Sequence, residues 1–152
     1  ATCSNRNVEY LKGLGVTRVI DYQHEDIAGA IREWAPSGLD LVVDAVGTST
    51  LPNALELVKP GGTLISIPTL VDDGDPATVS AAAQARGVSH IFSTMDDQNC
   101  AATLENVAGL LVNGAIALPP IRQFPLERAA EVHQIIQSGH NRGKFVLKVG
   151  NF

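Results

Sequence analysis

The sequence is poor in the residues on which several classes of protein depend. It has two cysteines in 152 residues, and aromatic residues make up 5%. Cys3 and Cys100 lie far apart, and neither has a second cysteine or a histidine at metal-ligand spacing. No apolar run approaches the ~18 residues of a membrane span. These shortages exclude a disulfide scaffold, a transmembrane protein and a base-stacking surface for nucleic acid, and we expect reduced thiols in a cytoplasmic protein.

Several motifs that carry chemistry are also absent. No Gly-x-Ser-x-Gly nucleophile elbow occurs, and the four histidines include no pair at one-turn spacing. The acidic stretch Asp72–Asp75 lacks the spacing and the final glutamate of a calcium loop. The net charge of -5 argues against nucleic acid or an anionic membrane as the main partner. We therefore expect no metal ligands and no catalytic residue in this stretch.

What the sequence does have is a regular alternation of strand-like and helix-like segments. Leu39–Gly47 is almost continuously apolar, which is typical of a strand buried on both faces of a parallel sheet. Apolar residues recur at helical spacing in between. The pattern predicts strands at 17–22, 39–47, 63–68, 88–94 and 143–149, and helices at 5–14, 24–35, 49–59, 77–87, 96–114 and 127–139. This order indicates an α/β fold with a doubly wound parallel sheet.

Four stretches in this order resemble one family along nearly the whole chain: "ATCSNRNVEYLKGLGVTRVIDYQHED", "LDLVVDAVG", "LELVKPGGTLISIP" and "FPLERAAEVHQIIQSGHNRGKFVLKV". The chain resembles the coenzyme-binding half of the medium-chain dehydrogenase/reductase superfamily. Within it, the chain is similar to the NADPH-dependent quinone oxidoreductase-like branch, often labelled zinc-binding dehydrogenase. The resemblance implies a Rossmann-like domain without its first strand, glycine-rich turn and first helix. We therefore expect the chain to be the C-terminal part of a longer reductase.

The resemblance also implies that two parts of the chain have different roles. Residues 1–114 would be a partial NADP-binding domain, and residues 115–152 would return partly towards a catalytic domain outside this chain. The full enzyme would pass hydride from NADPH to a quinone or an enone. Because the first strand would be a central one, the sheet must leave a gap, shift its pairing or take a strand from another copy.

The short strand at the start of this chain raises the question of which coenzyme the domain binds. In a dinucleotide fold, a carboxylate at the end of the second strand of the complete sheet selects NAD by binding the ribose 2′-hydroxyl. Here the strand ends Thr2-Cys3-Ser4 without an acid, and Asn5 and Arg6 follow. A serine hydroxyl, an arginine and the start of a helix all favour a phosphate. We predict a pocket for the 2′-phosphate of NADP. The competing interpretation is that Ser4 caps the helix and Arg6 is a solvated surface charge.

Other candidate cofactor-binding residues follow the ends of the later strands, because ligands bind at the carboxyl ends of parallel strands. Gly47 lets a ligand approach the backbone closely. The resemblance implies that Tyr22 lies beside the 2′-phosphate, that the end of the 63–68 strand meets the nicotinamide through its backbone, and that the loop holding Arg142 returns towards the coenzyme. The set comprises Tyr22, Val46, Gly47, Ile67, Pro68, Thr69, Phe92, Ser93 and Arg142.

Three alternatives stay open at this point. The chain could be the coenzyme domain of a zinc-dependent alcohol dehydrogenase whose metal ligands lie upstream. It could be a methyltransferase-like domain that binds S-adenosylmethionine, although such domains use an acid where Ser4 stands. It could also be a non-catalytic fragment that serves in assembly. Strand 89–94 would form a sheet edge, and exposed edges invite pairing. The family's dimers join there, so we expect a homodimer.

Overall fold

The computed structural model describes residues 1–47, 51, 53–67, 75–93, 100–139 and 141–150. The chain forms two compact units, residues 1–95 and residues 96–152. The helix before Gly114 therefore groups with the C-terminal segment, whereas the functional division that we expect falls after Gly114. Among the described residues, none belongs to a helix that is both long and apolar enough to cross a bilayer.

The first unit alternates strands and helices. Its elements are β1 (Thr2–Cys3), α1 (Val8–Gly13), β2 (Ile20–Asp21), α2 (Ile27–Trp34), β3 (Leu39–Asp44), β4 (Val58–Ser66), α3 (Pro76–Ala85) and β5 (Ser89–Phe92), with short 3-10 helices at Asn5–Asn7 and Ala54–Leu57. An aspartate starts each of the two longer helices. Asp26 accepts hydrogen bonds from the first-turn N–H groups of α2, and Asp75 does the same for α3. These side chains satisfy donors that a helix start leaves unpaired.

The paired strands of this unit are all parallel. β1 pairs with β2, and β3, β4 and β5 form a second sheet in that order. The expected α/β class with Rossmann-like parallel pairing is confirmed. β1 and β3 are not hydrogen-bonded neighbours within the chain, so the pairing does not shift to join the two sheets in the described residues. A cavity of about 540 Å³ lies between the two sheets, and Thr2, Leu41 and Val43 are among the residues that line it.

Two clusters of buried side chains hold the unit together. One gathers Val42, Val58, Leu64, Ala83 and Val88 with Ala54, beneath α3. The other joins β2, α2 and the 3-10 helix 54–57 through Ile20, Ile27, Ile31 and Leu57. Burial of such side chains stabilises a fold by about 1.5–3 kcal/mol each. These clusters fix the strands whose ends carry the candidate site.

The helix predicted at 49–59 is wrong in the described part of that segment. There, a 3-10 helix covers only Ala54–Leu57, and β4 starts at Val58 and passes through Pro60-Gly61-Gly62. The register jumps from Leu39 opposite Val58 to Leu41 opposite Thr63. A Cβ on Gly62 would stand 2.9 Å from the Asp40 carbonyl oxygen, so the chain needs glycine there. The glycines therefore build an irregular strand start and do not end a helix.

The second unit is built from α4 (Cys100–Val112), β6 (Ile121–Pro125), α5 (Ala129–Gln137) and β7 (Lys144–Lys148), with a 3-10 helix at Leu126–Arg128. β6 and β7 form a parallel pair. The Arg122 guanidinium carbon lies 5.2 Å from the ring centroids of both Phe124 and Phe145. These two rings meet edge to face at 5.5 Å. The contacts tie the two strands together through cation–π and aromatic attraction.

Candidate functional site

The candidate residues of the first unit lie at the carboxyl ends of its strands. Cys3 is opposite Asp21 in the first sheet, and Asp44, Ser66 and Phe92 are in register in the second. Each of these strand ends is followed directly or within two residues by a candidate. The residues so placed are Ser4, Tyr22, Val46, Ile67 and Ser93. Parallel pairing therefore brings distant parts of the sequence to common edges.

Ser4 is half-buried and has an extended backbone, and its carbonyl accepts a hydrogen bond of 2.9 Å from the Asn7 N–H. Its side chain makes no capping hydrogen bond to the following 3-10 helix. The competing interpretation, in which the Ser4 side chain caps the helix, is therefore wrong. Arg6 and Asn5 are exposed. The helix that we expect over 5–14 is a three-residue 3-10 turn followed by the six-residue α1, so its dipole adds little to an anion site.

The structure adds a carboxylate that the sequence reasoning missed. Asp21 ends β2 opposite Cys3, and its side chain is 13% exposed. It accepts hydrogen bonds from His24 Nδ1 at 2.7 Å and from the Gln23 N–H at 3.1 Å. These bonds, that from His24 foremost, together with one from the Asn5 backbone, hold the pKa of the Asp21 carboxyl below its usual range. A negative charge therefore stands against the turn that we expect to meet the ribose.

Tyr22 follows β2 at the same end of the β1–β2 pair, the β1–β2 corner, which comprises residues 4–6 and 21–22. Its N–H donates to the Cys3 carbonyl at 3.2 Å, which places it beside the residues that follow β1. The ring is 46% exposed. A signal for the whole corner was present in the sequence, because "DYQH" follows directly on a β-branched strand that parallel pairing sets beside "TCSN".

At the end of β3, the Asp44 carboxylate folds the chain back on itself. One of its oxygens accepts from the Val46 N–H at 3.1 Å and from the Gly47 N–H at 2.8 Å. Gly47 is buried and has a φ of 97°, a conformation that disfavours any residue with a Cβ. Asp44 therefore has a structural role, and it presents Val46, which is 51% exposed, at the sheet edge.

The ends of β4 and β5 are held by backbone hydrogen bonds. The Ile67 N–H donates to the Asp44 carbonyl at 2.9 Å, and the Ser93 N–H donates to the Ser66 carbonyl at 2.9 Å. The Ile67 N–H is therefore engaged within the sheet. Ile67 and Phe92 are 41% and 40% exposed. Pro68 and Thr69 lie outside the described residues.

A second group missed from sequence joins β4, β5 and α3. Ser66 Oγ is 3.0 Å from His90 Nε2, and Ser80 Oγ is 2.8 Å from His90 Nδ1. Ser66 also lines a cavity of about 250 Å³ at the carboxyl end of this sheet. Alternation along β4 places Leu64 and Ser66 on one face, and Leu64 is opposite His90. This pairing depends on the strand register, which the sequence did not show.

Arg142 belongs to the second unit, where it is exposed and precedes Gly143 and β7. Its predicted contact with the coenzyme stays a prediction. No group of three or more His, Cys, Asp or Glu among the described residues could hold a metal ion. The described part of this chain therefore offers no set of three such donors for zinc.

Comparisons with known proteins agree with this arrangement. The model of a family described as zinc-binding dehydrogenase matches residues 14–147. The "Probable zinc-binding oxidoreductase, mitochondrial" of Arthroderma benhamiae is 29% identical over 97% of this chain and 43% of its own length. The quinone oxidoreductase from Coxiella burnetii is 26% identical and superposes with a TM-score of 0.73, covering 98% of this chain and 44% of its own.

CurA in complex with NADPH, from Vibrio vulnificus, is 18% identical and shares the fold with a TM-score of 0.74, covering 99% of this chain and 49% of its own. The chain thus spans less than half the length of these proteins. With strand ends arranged as in a coenzyme domain and a family match across most of its residues, the chain belongs to the zinc-binding dehydrogenase family of the medium-chain dehydrogenase/reductase superfamily.

Proposed function

We propose that the full protein is an oxidoreductase that transfers hydride from NADPH to a quinone or an enone, and that the first unit binds the coenzyme. The observation that carries this proposal is the alignment of the candidate residues at the carboxyl ends of the parallel strands in the two sheets. Family membership supports the reaction class. Similarity to a quinone oxidoreductase supports the substrate class.

The residues present fit a dinucleotide in two places. Ser4, Arg6 and Tyr22 would hold the adenosine ribose and its phosphate at the β1–β2 corner. Val46 and the Ile67 carbonyl would meet the nicotinamide half at the ends of β3 and β4. The reduced nicotinamide supplies the hydride when the coenzyme is bound. The protein's part is to bind, to orient and to exclude water, and we assign no catalytic base in this chain to hydride transfer.

The choice of NADP over NAD depends on a balance of charges at the corner. Arg6 favours a phosphate, because a guanidinium makes charge-assisted hydrogen bonds to it. Asp21 opposes a phosphate, because two negative groups repel at short range. The Asp21 carboxylate is already occupied by His24 and by backbone N–H groups. The negative charge of Asp21 is therefore partly screened. The site favours NADP because the Arg6 guanidinium and the Ser4 hydroxyl would donate hydrogen bonds to the phosphate.

Titration of the full-length protein with NADPH and NADH tests this balance, with binding measured by coenzyme fluorescence. We expect NADPH to bind more tightly. The Arg6→Ala variant should lose roughly 10- to 100-fold in NADPH affinity with little change for NADH, since a charge-assisted hydrogen bond contributes ~1.5–3 kcal/mol. Asp21→Asn should move the preference further towards NADPH. Arg32→Ala is the matched control, because Arg32 is an exposed arginine on α2 that pairs with Glu56.

Tighter binding of NADH than of NADPH by the unaltered protein would refute the choice of coenzyme. An equal loss for both coenzymes in Arg6→Ala would assign Arg6 a structural role instead. A zinc-dependent alcohol dehydrogenase remains the alternative. Activity with a primary alcohol that is lost on chelation would favour it over the proposed reaction.

The proposal extends to assembly and location. β5 is an edge strand of its sheet in the described residues, and Ile91 and Phe92 are exposed there. We propose a homodimer through residues 89–94. Analytical ultracentrifugation should show a dimer that Ile91→Lys dissociates, whereas a monomeric unaltered protein would exclude it. We propose a cytoplasmic location, since Cys3 and Cys100 form no disulfide.

A further inference from the structure

His24 lies beside the β1–β2 corner and is joined to the carboxylate of that corner. Its Nδ1 lies 2.7 Å from Asp21 Oδ2. Because a carboxylate accepts hydrogen bonds and does not donate them, Nδ1 carries the proton of this bond. Asp21 is the only acidic residue of the corner. The imidazole therefore contacts the group that opposes a phosphate beside the ribose.

The turn after β2 fixes the position of this imidazole. The Asp21 carbonyl accepts hydrogen bonds from the His24 N–H at 3.0 Å and from the Glu25 N–H at 2.8 Å. Asp21 Oδ1 accepts from the Gln23 N–H at 3.1 Å, and Glu25 Oε1 accepts from the Asp21 N–H at 2.8 Å. The His24 side chain is nevertheless 71% exposed. Solvent can therefore deliver a second proton to the ring while the turn stays folded.

The charge of the corner depends on that second proton. Asp21 is ionised at neutral pH, because its hydrogen bonds, that from His24 foremost, hold its pKa below the usual range. While His24 is neutral, the formal charges of Arg6 and Asp21 cancel. A protonated imidazole places one more positive charge against Asp21. The corner and His24 together then carry a net positive charge that attracts a phosphate.

The surroundings of the pair contain other groups that carry or can carry charge. They are Cys3 on β1, Arg6 after it, Arg18 before β2, and Glu25 and Asp26 in the turn before α2. Glu25 pairs with Arg18 at 2.8 Å, so their charges compensate each other. Burial raises the pKa of the Cys3 thiol, which keeps it neutral. Arginine and carboxylate side chains ordinarily keep their charges between pH 5 and 8, whereas histidine changes its charge there. His24 is therefore the group of this set that titrates near neutral pH.

We propose that His24 sets the preference for NADP over NAD, because its protonated form neutralises Asp21 and its neutral form leaves Asp21 uncompensated. The proposal rests on the proposed function, since it places the 2′-phosphate at the β1–β2 corner. A phosphate of nearly two negative charges favours the protonated imidazole. Binding of NADP and uptake of one proton from solvent therefore promote each other by the same factor. NAD lacks the phosphate and has no such coupling. His24 acts through Asp21 and is a positioning residue.

Calorimetric titration of the full-length protein with NADP⁺ and NAD⁺ at pH 6 and pH 8 tests the proposal. His24→Asn is the informative variant, because the asparagine amide can donate to Asp21 but cannot become charged. Its preference for NADP⁺ should be about fivefold lower than that of the unaltered protein at pH 6, and less than about twofold lower at pH 8. The phosphate itself titrates near pH ~6, and the comparison of two proteins at one pH cancels that effect.

Three further variants separate charge from structure. His24→Arg carries its charge at both pH values, so at pH 8 its preference for NADP⁺ should exceed that of His24→Asn by about fivefold. In an Asp21→Asn background, His24→Asn should have no further effect, because the carboxylate through which His24 acts is gone. His133→Asn changes an exposed histidine on α5 and should alter nothing. Additive effects of His24→Asn and Asp21→Asn would overturn the proposal.

Nitrogen-15 NMR of the imidazoles gives a readout that a purely structural role would not move. Saturating NADP⁺ should raise the proton affinity of His24 by about fivefold, the same factor as in the binding comparison, and NAD⁺ should leave it unchanged. Equal proton affinities in the two complexes would overturn the proposal. If the unaltered protein binds neither coenzyme, or binds NAD⁺ more tightly at pH 6, the proposed coenzyme site fails and the role of His24 with it. If it prefers NADP⁺ and His24→Asn keeps that preference at pH 6, the role of His24 alone fails.

Discussion

The two compact units differ in how they bury their apolar residues. Of the described apolar residues, twelve in the first unit are buried, but only Phe124 and Val132 are buried in the second. α4 has an apolar sequence, yet none of its described residues is buried, and Leu104 is 68% exposed. The first unit is therefore held by two clusters between sheet and helices, whereas the second depends on contacts between near neighbours such as Arg122 and its two phenylalanines.

The difference teaches that helical patterning and burial are separate properties. α2 and α4 both carry apolar residues at helical spacing, but only α2 has buried ones, Ile27 and Ile31. Tertiary packing of an apolar face supplies most of the stability of a helix. The first unit should therefore tolerate changes in its core poorly, and the second should be sensitive where its two strands meet.

The largest effect should come from the core of the first unit. Leu57 is 2% exposed and belongs to the cluster between β2 and α2. Leu57→Ala should lower the free energy of unfolding by about 2–5 kcal/mol, since it removes a packed side chain and leaves a cavity. Urea unfolding followed by the fluorescence of Trp34, the chain's single tryptophan, measures it.

Leu104→Ala in α4 is the control for that change, because it is the same substitution at an exposed position of a helix. Its effect on unfolding should stay within about 0.5 kcal/mol. Equal losses for the two variants would contradict the contrast between the units.

The next effect should appear at the junction of β6 and β7. Gly143 has a φ of 79°, and a Cβ there would clash with the Pro120 carbonyl oxygen, which accepts the Lys144 N–H at 2.8 Å. Gly114 has a φ of 76° but open space around it. Both alanine variants strain the backbone, but Gly143→Ala should cost about 1–3 kcal/mol more through overpacking. Hydrogen exchange of the β6 and β7 amides should report the difference, and equal exchange in the two variants would refute the clash.

A smaller effect should follow from the loss of a helix cap. Asp75 accepts from the Ala77 and Thr78 N–H groups at 3.1 and 3.3 Å, whereas Arg128 at the start of α5 makes no side-chain cap. Asp75→Ala should cost about 1 kcal/mol. Glu33→Ala, an exposed acid on α2, should cost far less. Thermal unfolding of both variants compares them, and an unchanged midpoint for Asp75→Ala would show that the cap contributes nothing.

The smallest effect should be a difference in acid sensitivity. The Asp21 N–H and Arg18 hold the pKa of the Glu25 carboxyl below its usual value. A depressed folded-state pKa stabilises the fold above the unfolded pKa, and this stabilisation is lost as the pH falls through the folded value. Stability should therefore drop below about pH 4.5, and Glu25→Gln should flatten that drop. An identical pH profile in Glu25→Gln, followed by urea unfolding, would show that this carboxyl is not responsible.

The sequence alone predicted most elements and their parallel arrangement. The apolar run at β3 and the alternation of strand and helix patterns sufficed, because both depend on local periodicity and on the two faces that a parallel strand buries. Within residues 49–59 it failed in the described part, where helical spacing concealed an irregular strand start at Val58. That strand forms because Val58 finds Leu39 as a partner, and such a partner is invisible to a local pattern.

For the candidate site, the sequence by itself determined which residues follow the strand ends and therefore that Ser4, Tyr22, Val46, Ile67 and Ser93 are set at the edges of parallel sheets. Only the tertiary structure decided that Asp21 faces the Asn5 backbone and that His90 joins Ser66 to Ser80. The physical reason is that chain order fixes the residues at each strand end. Hydrogen bonds between elements depend on strand register and helix placement, which only the folded chain supplies.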